Sequence, residues 1–156
     1  MVFPLLFTLL LGIIWFGRAF NIYSTIQQAA QQGAITATRA SCATCGNTPS
    51  SDTAVYNAVA AVMQASSVDP TQIPVNSNPP TPLSCVDPFP VLTCPSTNKI
   101  TICRQALLNR PVSATQIPQC GTIVSFQYPF RFSLPFTSLN FQNTILSAQA
   151  QSRMEN

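Results

Sequence analysis

The first 40 residues of the chain have the hydrophobic pattern of one long helix. Residues 1–17 contain no charged side chain, and apolar residues continue beyond Arg18 as far as Tyr23. Arg18 can reach toward water while its stem stays in apolar surroundings, so the stretch attains the about 20 residues that span a bilayer. Pro4 falls in the first turn, where a helix tolerates proline. We therefore predict a helix over 1–40 that begins as a membrane anchor.

The second part of this helix has one narrow face of small and apolar residues and an opposite face of uncharged Gln and Thr. The members of the narrow face are three or four residues apart, so they lie on one side of a helix. Small residues at this spacing allow close helix–helix approach. We predict packing against both its own domain and neighbouring helices, through Ala19, Tyr23, Ile26, Ala30, Gly33, Ala34 and Ala37.

Two other interpretations of the apolar segment stay open. One is a helix buried in a protein core, and the other is a cleaved secretory signal. A signal needs a basic segment before the apolar run and a small-x-small cleavage site after it. Residues 1–5 contain no Lys or Arg, and residues 17–24, GRAFNIYS, offer no such site. The pattern therefore favours the membrane anchor.

Turn residues dominate the middle of the chain. After a break at 41–51, a second helix is predicted over 51–66, with Ser51 or Asp52 as its cap. Residues 67–98 contain eight of the 14 prolines, which argues against a continuous strand or helix. We predict a Pro/Cys-rich excursion over 67–120, with a strand at 99–107 and a loop at 108–120. The apolar face of the second helix would consist of Val55, Ala58, Val59, Val62 and Met63.

Two segments near the C-terminus alternate between apolar and polar residues, which is the pattern of half-buried strands. They cover 122–134 and 143–155, with a turn region at 135–141 between them. Pro129 within the first segment indicates an edge position or a bulge. Together they predict an antiparallel hairpin over 122–155 whose apolar face lies on the long helix.

All cysteines follow the apolar segment, and an even number of them in a Pro-rich chain suits an oxidising compartment. We predict up to three structural disulfides of open connectivity, formed by Cys42, Cys45, Cys85, Cys94, Cys103 and Cys120. CATC at 42–45 also has the spacing of zinc and redox motifs, but it lacks a second CxxC and a thioredoxin-like context. The predicted fold class is α+β: an N-terminal transmembrane helix packed on a disulfide-linked antiparallel sheet, within an extracytoplasmic domain over 41–156.

Composition narrows the chemistry. Charged residues make up 7% of the chain, and the net charge of +3 comes from scattered side chains without a basic cluster, so nucleic acid is not an expected partner. The absence of histidine removes Ser–His and Cys–His catalysis and every His-ligated metal site. No carboxylate pair has the spacing of a general acid and base. We therefore expect no enzymatic activity, no cofactor and no metal, with an anchored redox protein acting through CATC as a minor alternative.

The N-terminal helix resembles that of TadE-like proteins, the minor pilins or pilin-like proteins of the tight-adherence (type IVc) pilus system. The family pattern is an apolar helix with proline near its start, then G-I-I-x-F-G-R-A, then a small-residue helix ending near G-A-R-x-A. The C-terminal hairpin also looks like the closing strand pair of this family. The matching positions in the helix are Pro4, Gly12, Ile13, Ile14, Phe16, Gly17, Arg18, Ala19, Gly33, Ala34 and Ala37.

Three features depart from the family pattern. Ile35 replaces the arginine of the last motif, and Trp15 stands where the family commonly has Glu. The family also commonly has Glu several residues before the proline, near a prepilin peptidase site, whereas only Met1 to Phe3 precede Pro4 here. Met1 is then either a mature N-terminus after leader removal or an atypical start. Since residues 1–17 contain no carboxylate, helix packing would depend on shape and apolar contact.

The resemblance implies a structural pilin-like subunit that polymerises through its N-terminal helix and supports surface attachment. Its partners would be other copies of itself or other pilin subunits, the pilus assembly machinery, and the bacterial inner membrane before assembly. It would end in a surface filament. The helix-packing and assembly positions would be Phe3, Leu6, Leu10, Ile13, Phe16, Gly17, Ala19, Phe20, Tyr23, Ile26, Ala30, Gly33, Ala34 and Ala37.

The alternative function is a membrane-anchored extracytoplasmic binding or adhesion domain that does not polymerise. Its ligand surface would be the Phe/Tyr-rich face between Phe126 and Phe136, although a strand of this pattern is more typical of a core. Recovery of the chain in sheared surface filaments, rather than in membranes alone, separates the two functions.

Overall fold

The computed structural model describes residues 3–39, 48–97, 99–109, 117–133 and 140–154. It confirms the α+β class, with a long N-terminal helix followed by a four-stranded antiparallel sheet. The elements are α1 (Phe3–Thr38), α2 (Asp52–Ala65), a 3-10 turn (Pro70–Gln72), β1 (Ser96–Thr97), β2 (Ile100–Asn109), β3 (Gln119–Ser133) and β4 (Asn140–Arg153).

Helix α2 forms where its hydrophobic period and its cap predict it. The Ser51 side chain accepts a hydrogen bond of 3.2 Å from the backbone N–H of Ala54, which satisfies one of the free donors at the helix start. Ser51 is therefore the cap, and Asp52 is free for another role. Val55, Val59 and Met63 lie four residues apart and are fully buried, as the apolar pattern predicts.

The sheet is a meander in the order β1-β2-β3-β4, and every neighbouring pair is antiparallel. The predicted hairpin is β3–β4, and its apolar face packs on α1 as expected. Phe126, Tyr128 and Phe130 are buried, so this aromatic face belongs to the core. Phe136, at the far end of the face proposed as a ligand surface, lies outside the described residues.

Pro129 lies in a strand that has neighbours on both sides, but only over part of its length. Pairing with β2 begins at Ser125, whereas Pro129 is opposite Ile145 of β4. On its other side Pro129 has no paired residue of β2, so the missing N–H interrupts no ladder there. A register shift follows between Phe130 and Phe132, which agrees with the predicted bulge.

The Pro-rich excursion covers the sheet face opposite α1. The Asn76 side chain is buried there and donates to the hydroxyl oxygens of Thr101 (3.1 Å) and Ser125 (3.4 Å). A small second core forms under the excursion, because alternate residues of β2 and β3 point to this face. It contains Cys103, Ala106 and Ile123, with Leu92, Cys94 and Leu108 against them.

Two disulfides fasten the excursion to the sheet. Cys85 bonds Cys120 at the start of β3, and Cys94 bonds Cys103 in β2, with Cα–Cα distances of 5.7 and 4.8 Å. These pairings select one arrangement that the sequence had left open. Cys42 and Cys45 lie outside the described residues, and so does most of the predicted turn at 135–141.

The predicted loop at 108–120 is too long. Strand β2 continues to Asn109, and β3 begins at Gln119 rather than at 122. The register of β2 against β3 shifts twice, first between Cys103 and Ala106, where Gln105 has a φ of 56°, and again between Leu107 and Asn109, at the predicted end of the strand. The shifts break the strict alternation that a sequence pattern depends on, while the strand itself continues.

Candidate functional site: the exposed half of the N-terminal helix

Helix α1 changes its surroundings midway along its length. No described side chain from Phe3 to Phe20 is buried, although most of these residues are large and apolar. From Asn21 to Thr38 one face is buried in the protein's own core. We call Phe3–Phe20 the exposed half and Asn21–Thr38 the docked half. Large exposed residues of the first are Phe3, Leu6, Phe7, Leu9, Leu10, Ile13, Ile14, Phe16 and Phe20.

The docked half contacts α2, β3 and β4 through small side chains. Gly33 marks the closest approach, because a Cβ placed on it would lie 2.7 Å from Cγ2 of Val59 and 3.3 Å from Cγ1 of Val124. No side chain larger than hydrogen fits there without movement of its neighbours. Ala29, Ala30, Ala34 and Ala37 are buried on the same face, and Ile26 is the one large residue among them.

Arg104 holds the end of the docked half. Its guanidinium donates to the backbone carbonyls of Ala37 (3.2 Å) and Ser50 (2.7 Å) and forms an ion pair of 2.6 Å with Asp52. The second Asp52 oxygen accepts from the hydroxyl of Thr97 at 3.1 Å. A cation at the C-terminus of α1 satisfies a free carbonyl and interacts favourably with the helix dipole. One side chain of β2 therefore joins the end of α1 to the start of α2.

The predicted assembly positions divide between the two halves. Phe3, Leu6, Leu10 and the other large residues up to Phe20 are exposed, and Ala19 is partly exposed. Five positions are buried inside the chain, so their helix packing is internal and they present no surface to a neighbouring subunit. These are Ile26, Ala30, Gly33, Ala34 and Ala37. Tyr23, predicted on the same stripe, is 46% exposed and lies beside the docked face rather than in it.

The exposed half has the dimensions of a membrane span. Its 18 residues extend roughly 27 Å at 1.5 Å per residue, close to the ~30 Å hydrocarbon core of a bilayer. Within Leu6–Thr38, an 18-residue window has a mean hydropathy of 1.5 and contains no buried residue. The helix is thus long and apolar enough to cross a membrane, as a signal sequence also is. Arg18 stands near its end, with its guanidinium 6.0 Å from the centre of the Trp15 ring.

A crevice of about 570 Å³ opens where the two halves meet. Gly17, Arg18, Asn21 and Ile22 of α1 form one wall; residues 66–69, Gln72 and residues 128–130 complete it. The Asp69 carboxylate accepts from the hydroxyl (2.8 Å) and the backbone N–H (2.9 Å) of Thr71, and these bonds hold the pKa of Asp69 below its ordinary 3.8. Burial raises the pKa of Tyr128, and the charge of Asp69 raises it further.

Sequence reasoning missed Arg104 and the crevice. Arg104 follows a cysteine in a strand, and no local pattern shows that its charge reaches two helices far away in the chain. Asp69 precedes a proline and caps the 3-10 turn. Its place in the same crevice as Arg18 follows only from the folded structure.

An α+β domain carried on an N-terminal helix that is long and apolar enough to cross a membrane defines the class of protein to which the fold belongs. Within this class, residues 1–34 match the model of the TadE-like protein family. The N-terminal helix is therefore TadE-like, which confirms the resemblance in its sequence and associates the chain with the tight-adherence pilus system. The match ends within the docked half. No curated protein and no solved structure matches the chain significantly.

Proposed function

We propose that the chain is a structural, non-enzymatic pilin-like subunit of a tight-adherence type IV pilus. Before assembly, the exposed half anchors it in the bacterial inner membrane with the domain outside the cytoplasm. In the filament, the same half packs against other copies or other pilin subunits. The observation that carries this proposal is that Phe3–Phe20 is apolar and unburied while the rest of the same helix is docked.

The exposed half suits both environments for one physical reason. A bilayer and a bundle of apolar helices are similarly free of water, so the residues before Arg18 can leave lipid for neighbouring helices without burying a charge. Helices then associate through close packing, which small residues promote. A Cβ added to Gly12 or Gly17 would have no heavy atom of another part of the chain within 4 Å, so these two positions leave room for a second helix.

The domain would form the outer surface of such a filament and provide surface attachment. Its excursion is fastened by Cys85–Cys120 and Cys94–Cys103, which supports a location in an oxidising compartment. The pilus assembly machinery would extract the subunit from the membrane. Because the apolar surface concentrates on α1, we expect the helix rather than the domain to determine polymerisation.

The first experiment shears filaments from cells and measures the amount, intact mass and N-terminal peptide of this protein in the sheared and membrane fractions. Abundant recovery in filaments supports a filament subunit. Recovery in membranes alone contradicts a main subunit and favours either a minor pilin or the non-polymerising anchored domain.

A pair of substitutions separates anchoring from polymerisation. The double variant Gly12→Leu, Gly17→Leu stays apolar and should remain in the membrane, but its larger side chains should prevent close helix packing and remove it from filaments. Phe16→Glu should reduce both fractions, since a charge in an apolar span costs roughly 2.5–3.5 kcal/mol. Gln64→Glu adds the same charge at an exposed position of α2 and serves as the control. Wild-type filament yield from the double glycine variant would contradict close packing at these positions.

A further inference from the structure

The crevice between the exposed and docked halves lies at a fixed distance along α1 from the start of the exposed half. Asn21, on its wall, is 18 residues from Phe3, which corresponds to roughly 27 Å along the helix. When the exposed half spans the ~30 Å hydrocarbon core, the crevice lies at the level of the lipid headgroups. Its volume of about 570 Å³ falls within the range of small-molecule sites, roughly 300–1,000 Å³.

The crevice presents opposite charges from two elements. Arg18 comes from α1 and Asp69 from the turn after α2, and among the described residues these are the charged groups of its lining. Oδ1 of Asp69 accepts both bonds from Thr71, whereas Oδ2 has only a 3.5 Å contact with the Gln72 amide. The Asp69 carboxylate therefore has an oxygen with capacity for a further donor.

We propose that this crevice binds the headgroup of phosphatidylethanolamine, with the phosphate at the Arg18 guanidinium and the ammonium at the Asp69 carboxylate. This inference rests on the proposed membrane anchoring. A guanidinium is a strong partner for phosphate, and a primary ammonium has N–H donors for a carboxylate oxygen. The two charges of the site thus match the two charges of the ligand.

Other headgroups fit less well. A quaternary ammonium has no N–H donor and is recognised by open aromatic faces, but Tyr128 and Phe130 are only 6% and 7% exposed. An anionic glycerol headgroup would meet Arg18 favourably but would gain no charge pair with Asp69. The site therefore selects ethanolamine over choline and glycerol headgroups that share the same phosphate.

The test incorporates the full chain into nanodiscs of equal parts phosphatidylethanolamine, phosphatidylcholine and phosphatidylglycerol. After transfer to mild detergent, native mass spectrometry counts the lipids that each protein molecule retains. We expect phosphatidylethanolamine to be retained roughly two- to fivefold more than either of the other two lipids, the factor that an exposed charge pair contributes. Asp69→Asn should abolish the excess, Asp69→Glu should keep part of it, and Arg18→Gln should reduce retention of all three lipids.

Asp87→Asn is the matched control, because Asp87 is an exposed carboxylate of the same excursion outside the crevice. Equal retention of the three lipids, or an excess that survives Asp69→Asn, would overturn the headgroup site while the anchor stands. Preference for phosphatidylglycerol would show that Arg18 acts without Asp69 and would also overturn it. Failure of the chain to enter nanodiscs would overturn the anchoring itself and the headgroup site with it.

Discussion

The two halves of α1 differ most in the size of their side chains. Both are helical, and Arg18 is the one charged residue between Phe3 and Thr38. The exposed half is rich in Leu, Ile and Phe, whereas the docked half buries mainly alanines and Gly33. Burial within the chain is thus inverse to hydrophobicity along this helix. Large apolar residues remain unpartnered, and small ones make the contact with the domain.

Geometry explains why the small residues are the buried ones. A helix lying on both another helix and a sheet must approach two backbones, and Ala or Gly allows that approach where Leu would hold the elements apart. The partner elements supply the volume, with Val59, Met63 and Phe126 filling the space against α1. The exposed half has no such partner among the described residues, and its large side chains need lipid or another helix to cover them.

The largest change in the free energy of unfolding should come from substitution of Ile26, the one large residue of the docked face. Ile26→Ala removes a fully buried side chain and leaves a cavity, which should lower the free energy of unfolding by about 2–5 kcal/mol. Ile13→Ala is the matched change in the exposed half, where the side chain is 60% exposed, and should leave domain unfolding within about 0.5 kcal/mol of wild type. Denaturant unfolding of the detergent-solubilised chain, followed by circular dichroism, measures both. Equal effects of the two changes would contradict the division of the helix.

The next effect should come from the side chain that holds the end of the docked half. Arg104→Gln removes the ion pair to Asp52 and weakens the bonds to the Ala37 and Ser50 carbonyls. Hydrogen bonds to charged groups contribute about 1.5–3 kcal/mol, and partial exposure places the expected loss near the lower value. Arg153→Gln, at an exposed position of β4, removes the same charge and should change unfolding little. Backbone hydrogen exchange at residues 35–38 should become faster in Arg104→Gln and not in Arg153→Gln. Unchanged exchange in Arg104→Gln would contradict the role of Arg104 in holding the end of α1.

Much of this fold follows from local patterns, and the parts that do not are set by long-range contacts. The period of α2, the alternation in β3 and β4, and the apolar run of α1 each correspond to an element that forms. The stripe of small residues predicted a packed face with both the chain's own domain and neighbouring helices as partners, but it did not show which of the two would occupy that face. Sequence spacing gives the face of a helix and leaves the identity of the partner open.

The candidate site also has one part that the sequence predicts and one part that depends on long-range contacts. The exposed positions from Phe3 to Gly17 follow from composition, because a charge-free apolar run predicts a membrane-compatible surface. The crevice does not follow, since Arg18 and Asp69 are 51 residues apart and line the same crevice only in the folded chain. The loop prediction at 108–120 was wrong for a related reason, because the register shift between Leu107 and Asn109 interrupts the alternation without ending the strand.

Alanine substitutions at two glycines of α1, Gly33 and Gly12, should change the free energy of unfolding by smaller amounts and in opposite directions. Gly33→Ala places a Cβ 2.7 Å from Cγ2 of Val59, a stiff β-branched side chain in the core, and overpacking of this kind costs about 1–3 kcal/mol. Better helix propensity returns up to about 1 kcal/mol, so the net loss should be roughly 1–2 kcal/mol. Gly12→Ala has nothing within 4 Å of its Cβ and should gain helix stability instead. Opposite signs in unfolding measurements are expected, and a stabilising Gly33→Ala would show that α1 and α2 are less tightly packed.

The smallest effect concerns Asp69 at the junction of the two halves. Its hydrogen bonds from Thr71 lower the pKa of Asp69 in the folded chain below 3.8, so ionised Asp69 stabilises the fold above that pH. This contribution should disappear as the pH falls through the lowered pKa of Asp69 in the folded chain. The variant Asp69→Asn should therefore show a weaker dependence of its unfolding midpoint on pH in that acidic range. Thr71→Val removes the hydroxyl donor but keeps the backbone N–H, so it should flatten the dependence only in part. Asp69→Asn should also lower the pKa of Tyr128, measured by its ultraviolet absorbance, because the nearby negative charge is gone. An unchanged pKa of Tyr128 would show that the Asp69 carboxylate does not lie close to the Tyr128 side chain. It would therefore contradict the description of the crevice as a site that Asp69 and Tyr128 share.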